Sequence, residues 1–175
     1  MIKIKIIDAQ HKADINLPNE SFQIFGRVLV SYNDGKWDYQ LQKFAKVSEM
    51  KFPDENYNYE KMKGSIFLGA YDGDECVGLA ILQAGFLKYM YLYDLKVNSK
   101  YRGQHIGQKL IAKAKDIAAQ KGYSGLYTQC QDNNPGAFLF YIKTGFYIGG
   151  LDTGIYKHTK QEGKADLILY CEAKK

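Results

Sequence analysis

The sequence predicts an α+β fold: one mixed, mostly antiparallel twisted sheet with helices on its faces. Three observations predict it. Apolar, β-rich runs separated by Asn, Asp and Gly turns fill the first hundred residues. A single long amphipathic helix pattern follows. The remainder then alternates strand, helix and strand. At 175 residues the chain can bury one full core but is short for two, so residues 1–175 are read as a single domain.

Taken in order, Ile2–Ile7 reads as a first strand. The arms at 22–32 and 37–44 are joined by Asn33-Asp34-Gly35-Lys36, a tight-turn signal that predicts a β-hairpin. Ser48–Gly64 is polar, contains Pro53, and reads as a loop with room for a short helix; it is the candidate substrate-facing segment. Strands follow at 65–71, 76–84 and 88–97, the first two joined by the turn DGDE. Ile106, Leu110, Ile111, Ala114, Ile117 and Ala118 then form one stripe of a helix over 105–121, stopped by Gly122. Another strand spans 124–131. In the second helix Asn134 can cap, Pro135 takes the first helical position and Gly145 closes. Two short strands near Phe146–Gly150 and Asp166–Cys171 complete the sheet.

Composition bounds the function. Nearly half of the residues are apolar and a quarter charged, ordinary for a globular enzyme. No run approaches the roughly 18 apolar residues of a membrane span, and the N-terminus has no signal-peptide pattern, so a cytoplasmic protein is expected. The net charge of +5 suits an anionic cofactor, but the Lys residues are dispersed, which argues against a nucleic-acid partner. Cys76, Cys130 and Cys171 form neither a zinc pattern nor an even disulfide set, and no metal is expected.

The segment from Tyr101 to Leu110, YRGQHIGQKL, follows a β-rich run and opens the long helix. A helix N-terminus offers unpaired N–H groups and the positive end of the macrodipole, so such a loop can bind a diphosphate. Arg102 adds charge, and Gly103 and Gly107 allow close approach to the backbone. An ordinary strand-to-helix turn with a solvated Arg would carry the same residues.

Two segments resemble one family. RGQHIG (102–107) resembles the acyl-CoA-binding loop [QR]xxGx[GA] of the GNAT superfamily of N-acetyltransferases. Asn134, Ala137, Tyr141, Gly145 and Phe146 stand at that superfamily's spacing NxxAxxxYxxxGF. The match covers about residues 64–150, the expected cofactor-binding core. A narrower resemblance, to the streptothricin acetyltransferases, rests on NESFQIFGRVLVSYNDGKW (19–37), TQCQDNN (128–134) and GGLDTGIY (149–156). It implies an N-terminal hairpin in place of the usual first two helices. Three positions depart from these patterns. His105 replaces the first Gly of the cofactor loop, which is tolerable if residue 105 is already right-handed helical. The acidic run before the second strand is thin, with only Asp54, Glu55 and Glu60. The strand pair that is Glu-Asp in the family is Tyr93-Asp94 here.

The resemblance implies an acyltransferase that uses acetyl-CoA as co-substrate. Arg102, Gly103, Gln104, His105, Ile106 and Gly107 would hold the diphosphate. The backbone of Leu95, Lys96 and Val97 would receive the pantetheine arm, with Asn134 and Ala137 beside it. Asn134 is equally a simple helix cap, and His105 a solvated helix-start residue. Tyr141 would be the general acid that protonates the departing thiolate; its other reading is core packing. Asp94 is the candidate amine binder and base, or else the partner of a Lys. Asp132 and Asp152 are further amine binders, with Asp54, Glu55 and Glu60 as an outer field. Tyr93 is expected on the opposite strand face from Asp94, as packing.

The function expected is N-acetyl transfer to an amine of a small cationic molecule, with streptothricin-type antibiotic resistance as the specific form. A protein or peptide N-acetyltransferase and a non-catalytic acyl-CoA-binding module are the alternatives. Neither a nucleic acid nor a membrane is an expected partner, and a homodimer stays open.

Overall fold

The computed structural model describes residues 1–173. The strands run in chain order β1 (Lys3–Ile6), β2 (Phe22–Asn33), β3 (Lys36–Met50), β4 (Ile66–Asp72), β5 (Glu75–Gln83), β6 (Tyr89–Val97), β7 (Gly125–Gln131), β8 (Tyr147–Asp152) and β9 (Asp166–Glu172). The α-helices are α1 (Ile106–Gln120) and α2 (Pro135–Lys143), and 3-10 segments form at Ala9–Asn16 and Ser99–Tyr101. The chain separates into two compact units. One holds Met1–Glu20, Phe52–Tyr127 and 172–173; the other holds Ser21–Lys51 and Thr128–Cys171.

In the first unit the strands hydrogen-bond in the order β1-β4-β5-β6-β7. The first four pair antiparallel, β4 with β5 through a tight turn and β5 with β6 through a short loop, while β1 joins β4 from far along the chain; α1 carries the chain across so that β7 returns parallel to β6. The stripe expected on α1 is its buried face: Ile106, Leu110, Ile111, Ala114, Ile117 and Ala118. Gly78 on β5 lets α1 approach closely, because a Cβ there would stand 3.2 Å from Ile106 Cγ2 and 3.3 Å from Leu110 Cδ1. A second cluster buries Ile7, Ile15, Phe67, Tyr71, Leu79 and Ile81. The Ala9–Asn16 segment, which hydropathy did not reveal, supplies Ile15 to it. Asp8 starts that segment by accepting the Gln10 and His11 N–H groups.

In the second unit β9 lies between β7 and β8, and β2 and β3 form a separate two-stranded sheet. The Asn33–Lys36 turn places Asp34 at φ 50° and Gly35 at φ 78°, the left-handed pair that a two-residue hairpin requires. The hairpin is longer than the sequence suggests: β3 continues to Met50, and no helix forms in 51–64. Tyr39 packs edge-on to Phe138 of α2 with ring centroids 4.8 Å apart.

Among the described residues, no helix is long and apolar enough to cross a membrane. The three Cys are free thiols. Burial pushes the Cys76 thiol up to about 11 and the Cys130 thiol up to about 12, which suits packing rather than nucleophilic chemistry.

Candidate active site

The ladder between β6 and β7 pairs Tyr89–Tyr91 with Gly125–Tyr127 and ends there, while on its other edge β6 stays paired to β5 through Val97. The peptides of Leu95–Val97 therefore lie beyond the last β7 partner, as the strand-like docking of a pantetheine arm requires. One of their acceptors is in use: Arg102 Nε donates to the Val97 carbonyl at 3.2 Å.

After β6, Asn98 accepts the Lys100 N–H and the chain makes a single 3-10 turn. Glu20 braces this loop by accepting the Ser99 N–H at 2.6 Å and lying 3.4 Å from Arg102 Nη2. The first α1 hydrogen bond runs from the Lys109 N–H to the His105 carbonyl at 3.0 Å. The amides of Ile106, Gly107 and Gln108 precede it and have no intrahelical acceptor. Gly103 sits at φ 79° with open space where a Cβ would be, and half of the Arg102 side chain is exposed. Free amides, an open glycine and a half-exposed guanidinium fit a diphosphate.

His105 corrects one expectation. It is the N-cap residue at φ 61° and ψ 17°, in the left-handed region and not yet helical, so the position does favour glycine. Its Nδ1 lies 2.6 Å from Gln108 Oε1, a contact that holds the exposed ring beside the helix start.

Asp94 is the centre of a cluster that the sequence did not reveal. Its Oδ2 lies 3.0 Å from Lys96 Nζ and accepts the Tyr57 hydroxyl at 3.2 Å. Lys96 also donates to Glu55 Oε2 at 2.9 Å and Asn19 Oδ1 at 3.0 Å, and its Nζ stands 5.8 Å from the centre of the Tyr57 ring. Burial raises the Asp94 carboxyl above its ordinary value, opposed by the charge and hydrogen bond of Lys96. Burial also pushes Glu55 up, but hydrogen bonds from Lys96 and Asn19 outweigh it and leave the carboxyl lowered. Burial and the neighbouring Asp94 charge raise the Tyr57 phenol, so it stays protonated as a donor.

Two further expectations are corrected here. Glu55 belongs to this inner cluster and not to an outer field, whereas Glu60 pairs with Lys12 at 2.7 Å. Asp54 accepts the Asn19 N–H at 2.7 Å. Tyr93 does not turn to the opposite face from Asp94 as core packing. The β5–β6 register pairs Ile81 with Asp94 and Leu82 with Leu92, so Tyr93 is the extra residue of a bulge. One ring, Tyr57, meets Tyr93 edge-on at 6.0 Å and reaches Asp94 with its hydroxyl. Tyr93 is 42% exposed.

In the second unit Asn134 caps α2 by accepting the Ala137 N–H at 3.1 Å. Tyr141 is buried, its ring edge-on to Phe146 at 5.1 Å and to Phe140 at 5.6 Å. Asp132 is buried, with Oδ2 3.0 Å from Arg27 Nε, a charge contact outside hydrogen-bonding angles; Arg27 Nη2 donates to the Gly163 carbonyl at 2.6 Å. Its Oδ1, like Asn133 Oδ1, is buried without a hydrogen-bond partner among the described residues. Asp132 and Arg27 line a cleft of about 300 Å³. Asp152 caps a turn, accepting the N–H groups of Gly154 and Ile155. A larger cleft of about 440 Å³ in the first unit, lined by Ile6, Ile7, Phe67 and Ile117, contains no carboxylate.

Residues 33–146 match the family model described as the Acetyltransferase (GNAT) family. The chain is 31% identical over 159 residues to Streptothricin acetyltransferase A of Bacillus subtilis (strain 168), which spans 90% of this chain and 92% of that protein. A Bacillus anthracis str. Ames protein, assigned as a streptothricin acetyltransferase and solved in complex with acetyl coenzyme A, superposes with a TM-score of 0.87 at 25% identity, over 98% of both chains. Nourseothricin acetyltransferase shares the fold, with a TM-score of 0.82 at 20% identity over 99% of both chains. The loop at the start of α1, the interrupted β6–β7 ladder and a family match over more than half of the sequence agree: this chain belongs to the GNAT family of acetyltransferases and is an N-acetyltransferase.

Proposed function

We propose that this chain transfers an acetyl group from acetyl-CoA to an amine of a small cationic molecule, with streptothricins as the first acceptors to test. The observation that carries the reading is the Asp94 cluster. Two carboxylates, an amide oxygen and a tyrosine face already surround one ammonium group, the chemistry an amine acceptor presents. Similarity to the Bacillus subtilis streptothricin acetyltransferase over nine-tenths of the chain supports the specific acceptor.

Acetyl-CoA supplies the activated thioester. Arg102 and the amides of Ile106–Gln108, with Gly103, Gln104 and His105 around them, hold its diphosphate. The peptides of Leu95–Val97 fix the arm, and Asn134 and Ala137 are further candidate contacts to the coenzyme. Fixing the thioester and the amine contributes several kcal/mol of the barrier, because the step becomes effectively unimolecular. Asp94 draws the proton from the acceptor ammonium, and the Tyr141 phenol returns one to the departing sulfur. Asp132 and Asp152 are further sites for the acceptor's remaining polar groups. Use of acetyl-CoA supports a cytoplasmic setting for this activity.

The test is acetyl-CoA turnover by the purified protein with streptothricin, an aminoglycoside, a polyamine and a peptide with a free N-terminus, products identified by mass spectrometry. Turnover of one or more cations is expected. Robust acetylation of the peptide with none of the cations overturns the proposal and leaves a protein N-acetyltransferase.

A further inference from the structure

An ammonium has three N–H donors, and those of Lys96 have three acceptors: Asp94 Oδ2 at 3.0 Å, Glu55 Oε2 at 2.9 Å and Asn19 Oδ1 at 3.0 Å. The Tyr57 ring lies against the same Nζ. Only 12% of the Lys96 side chain and 17% of the Asp94 side chain are exposed, so these charges are screened far less than a surface pair. The strand geometry explains the arrangement. Asp94 and Lys96 follow the bulge at Tyr93 two residues apart, which puts both on one face, and the 52–64 segment brings Glu55 and Tyr57 onto it.

The three charged side chains in mutual contact carry two negative charges and one positive, leaving a net charge of −1. That remaining charge is available. Both contacts of Asp94 converge on Oδ2, and among the described residues Oδ1 has no hydrogen-bond partner.

We infer that Lys96 is a specificity-determining residue of the acceptor site: a resident ammonium that cancels one of two carboxylates, so that the site beside Asp94 takes one substrate ammonium and discriminates against a second. The inference rests on the proposed reading of Asp94 as the acceptor-side carboxylate. It assigns the site a preference for acceptors whose reactive end carries a single positive charge. A polycation would be accommodated only when its other charges lie away from the reacting amine. Without Lys96 the same cage would hold a second ammonium.

The charge of the cage can be varied in steps. Glu55→Gln brings it to neutral, the wild type stands at −1, Lys96→Arg keeps −1, and Lys96→Met takes it to −2. The measurement is the competitive inhibition constant of butylamine and of 1,4-diaminobutane against the best cationic acceptor of the panel above. Relative to wild type, preference for the diamine should rise about tenfold in Lys96→Met and fall severalfold in Glu55→Gln, as expected for unit charges a few ångströms apart in a poorly screened site. It should be unchanged in Lys96→Arg. A purely structural salt bridge would alter stability and leave this ratio alone. If Lys96→Met does not fold, Glu55→Gln against wild type and Lys96→Arg decides. Equal ratios across the folded series overturn the inference while the cationic-acceptor reading stands. Absence of turnover with every cation sinks that reading, and this inference with it.

Discussion

Lys96 and Asp94, two residues apart on β6, meet at 3.0 Å through Nζ and Oδ2 in a site with little solvent. The carboxylate that would draw the proton from an amine is thus already engaged with an ammonium belonging to the protein. Lys96 acts on Asp94 in one direction and burial in the other. Burial wins, and the Asp94 carboxyl is raised above its ordinary 3.8.

A base with a raised pKa loses its ionised form earlier as the pH falls. The acid limb of kcat/KM should therefore lie above the ordinary value of an aspartate carboxyl. Lys96→Met, by removing an influence that lowers the Asp94 pKa, should move the limb further up. Asp94→Asn should abolish the limb, raise KM for the cation, lower kcat and leave acetyl-CoA affinity nearly intact. A limb that persists in Asp94→Asn belongs to another group.

Arg102→Glu should weaken acetyl-CoA binding about tenfold or more, since phosphate attraction becomes repulsion. Arg102 also meets Glu20, which itself holds the Ser99 N–H, so the charge reversal disturbs the loop as well. Glu20→Gln separates the two effects: it keeps an acceptor for Ser99 and frees Arg102. Its affinity should equal or exceed that of wild type by calorimetry. Unchanged binding in Arg102→Glu would remove Arg102 from the cofactor loop's function.

Tyr141→Phe removes one hydroxyl from a ring that remains packed on Phe140 and Phe146. If the phenol is the general acid, kcat should fall roughly 10²-fold with little change in acetyl-CoA affinity. The same kcat in both proteins would assign Tyr141 to packing alone.

His105 stands at φ 61°, where a left-handed backbone costs an ordinary residue about 1–2 kcal/mol and glycine nothing. His105→Gly should be neutral to stabilising, offset in part by the lost contact to Gln108. His105→Val, β-branched at the same φ, should be less stable than the glycine variant by about 2 kcal/mol in chemical denaturation. Equal stability of the two variants would place residue 105 in the right-handed region.

Arg27→Met strips the buried Asp132 of its charge partner and should destabilise the protein by about 2–3 kcal/mol, at or below the low end for a broken buried pair because Arg27 is one-third exposed. Adding Asp132→Asn should recover part of the loss, since the uncompensated charge is then gone. Additive losses in the double variant would deny the coupling.

Local periodicity and capping govern the elements that the amino-acid order makes legible. The Ile106–Ala118 stripe, the Asp34-Gly35 turn, and the Asn134 cap with Pro135 and Gly145 each express a backbone requirement within a few residues. Each stands in the structure where the sequence put it. The strand, the Arg-Gly loop and the helix start around residues 89–110 were legible for the same reason. The rest depends on register and on contacts between distant segments. The bulge at Tyr93 resets which residues share a face, and strict alternation cannot foresee one extra residue opposite a single partner. The cage around Lys96 joins Asn19, Glu55, Tyr57 and Asp94 across gaps of up to 77 residues. Asp94 and Lys96 meet as an i, i+2 pair on one strand face, but nothing in the local pattern marks Asn19, Glu55 or Tyr57 as their partners, because segments distant in the chain meet only through the fold.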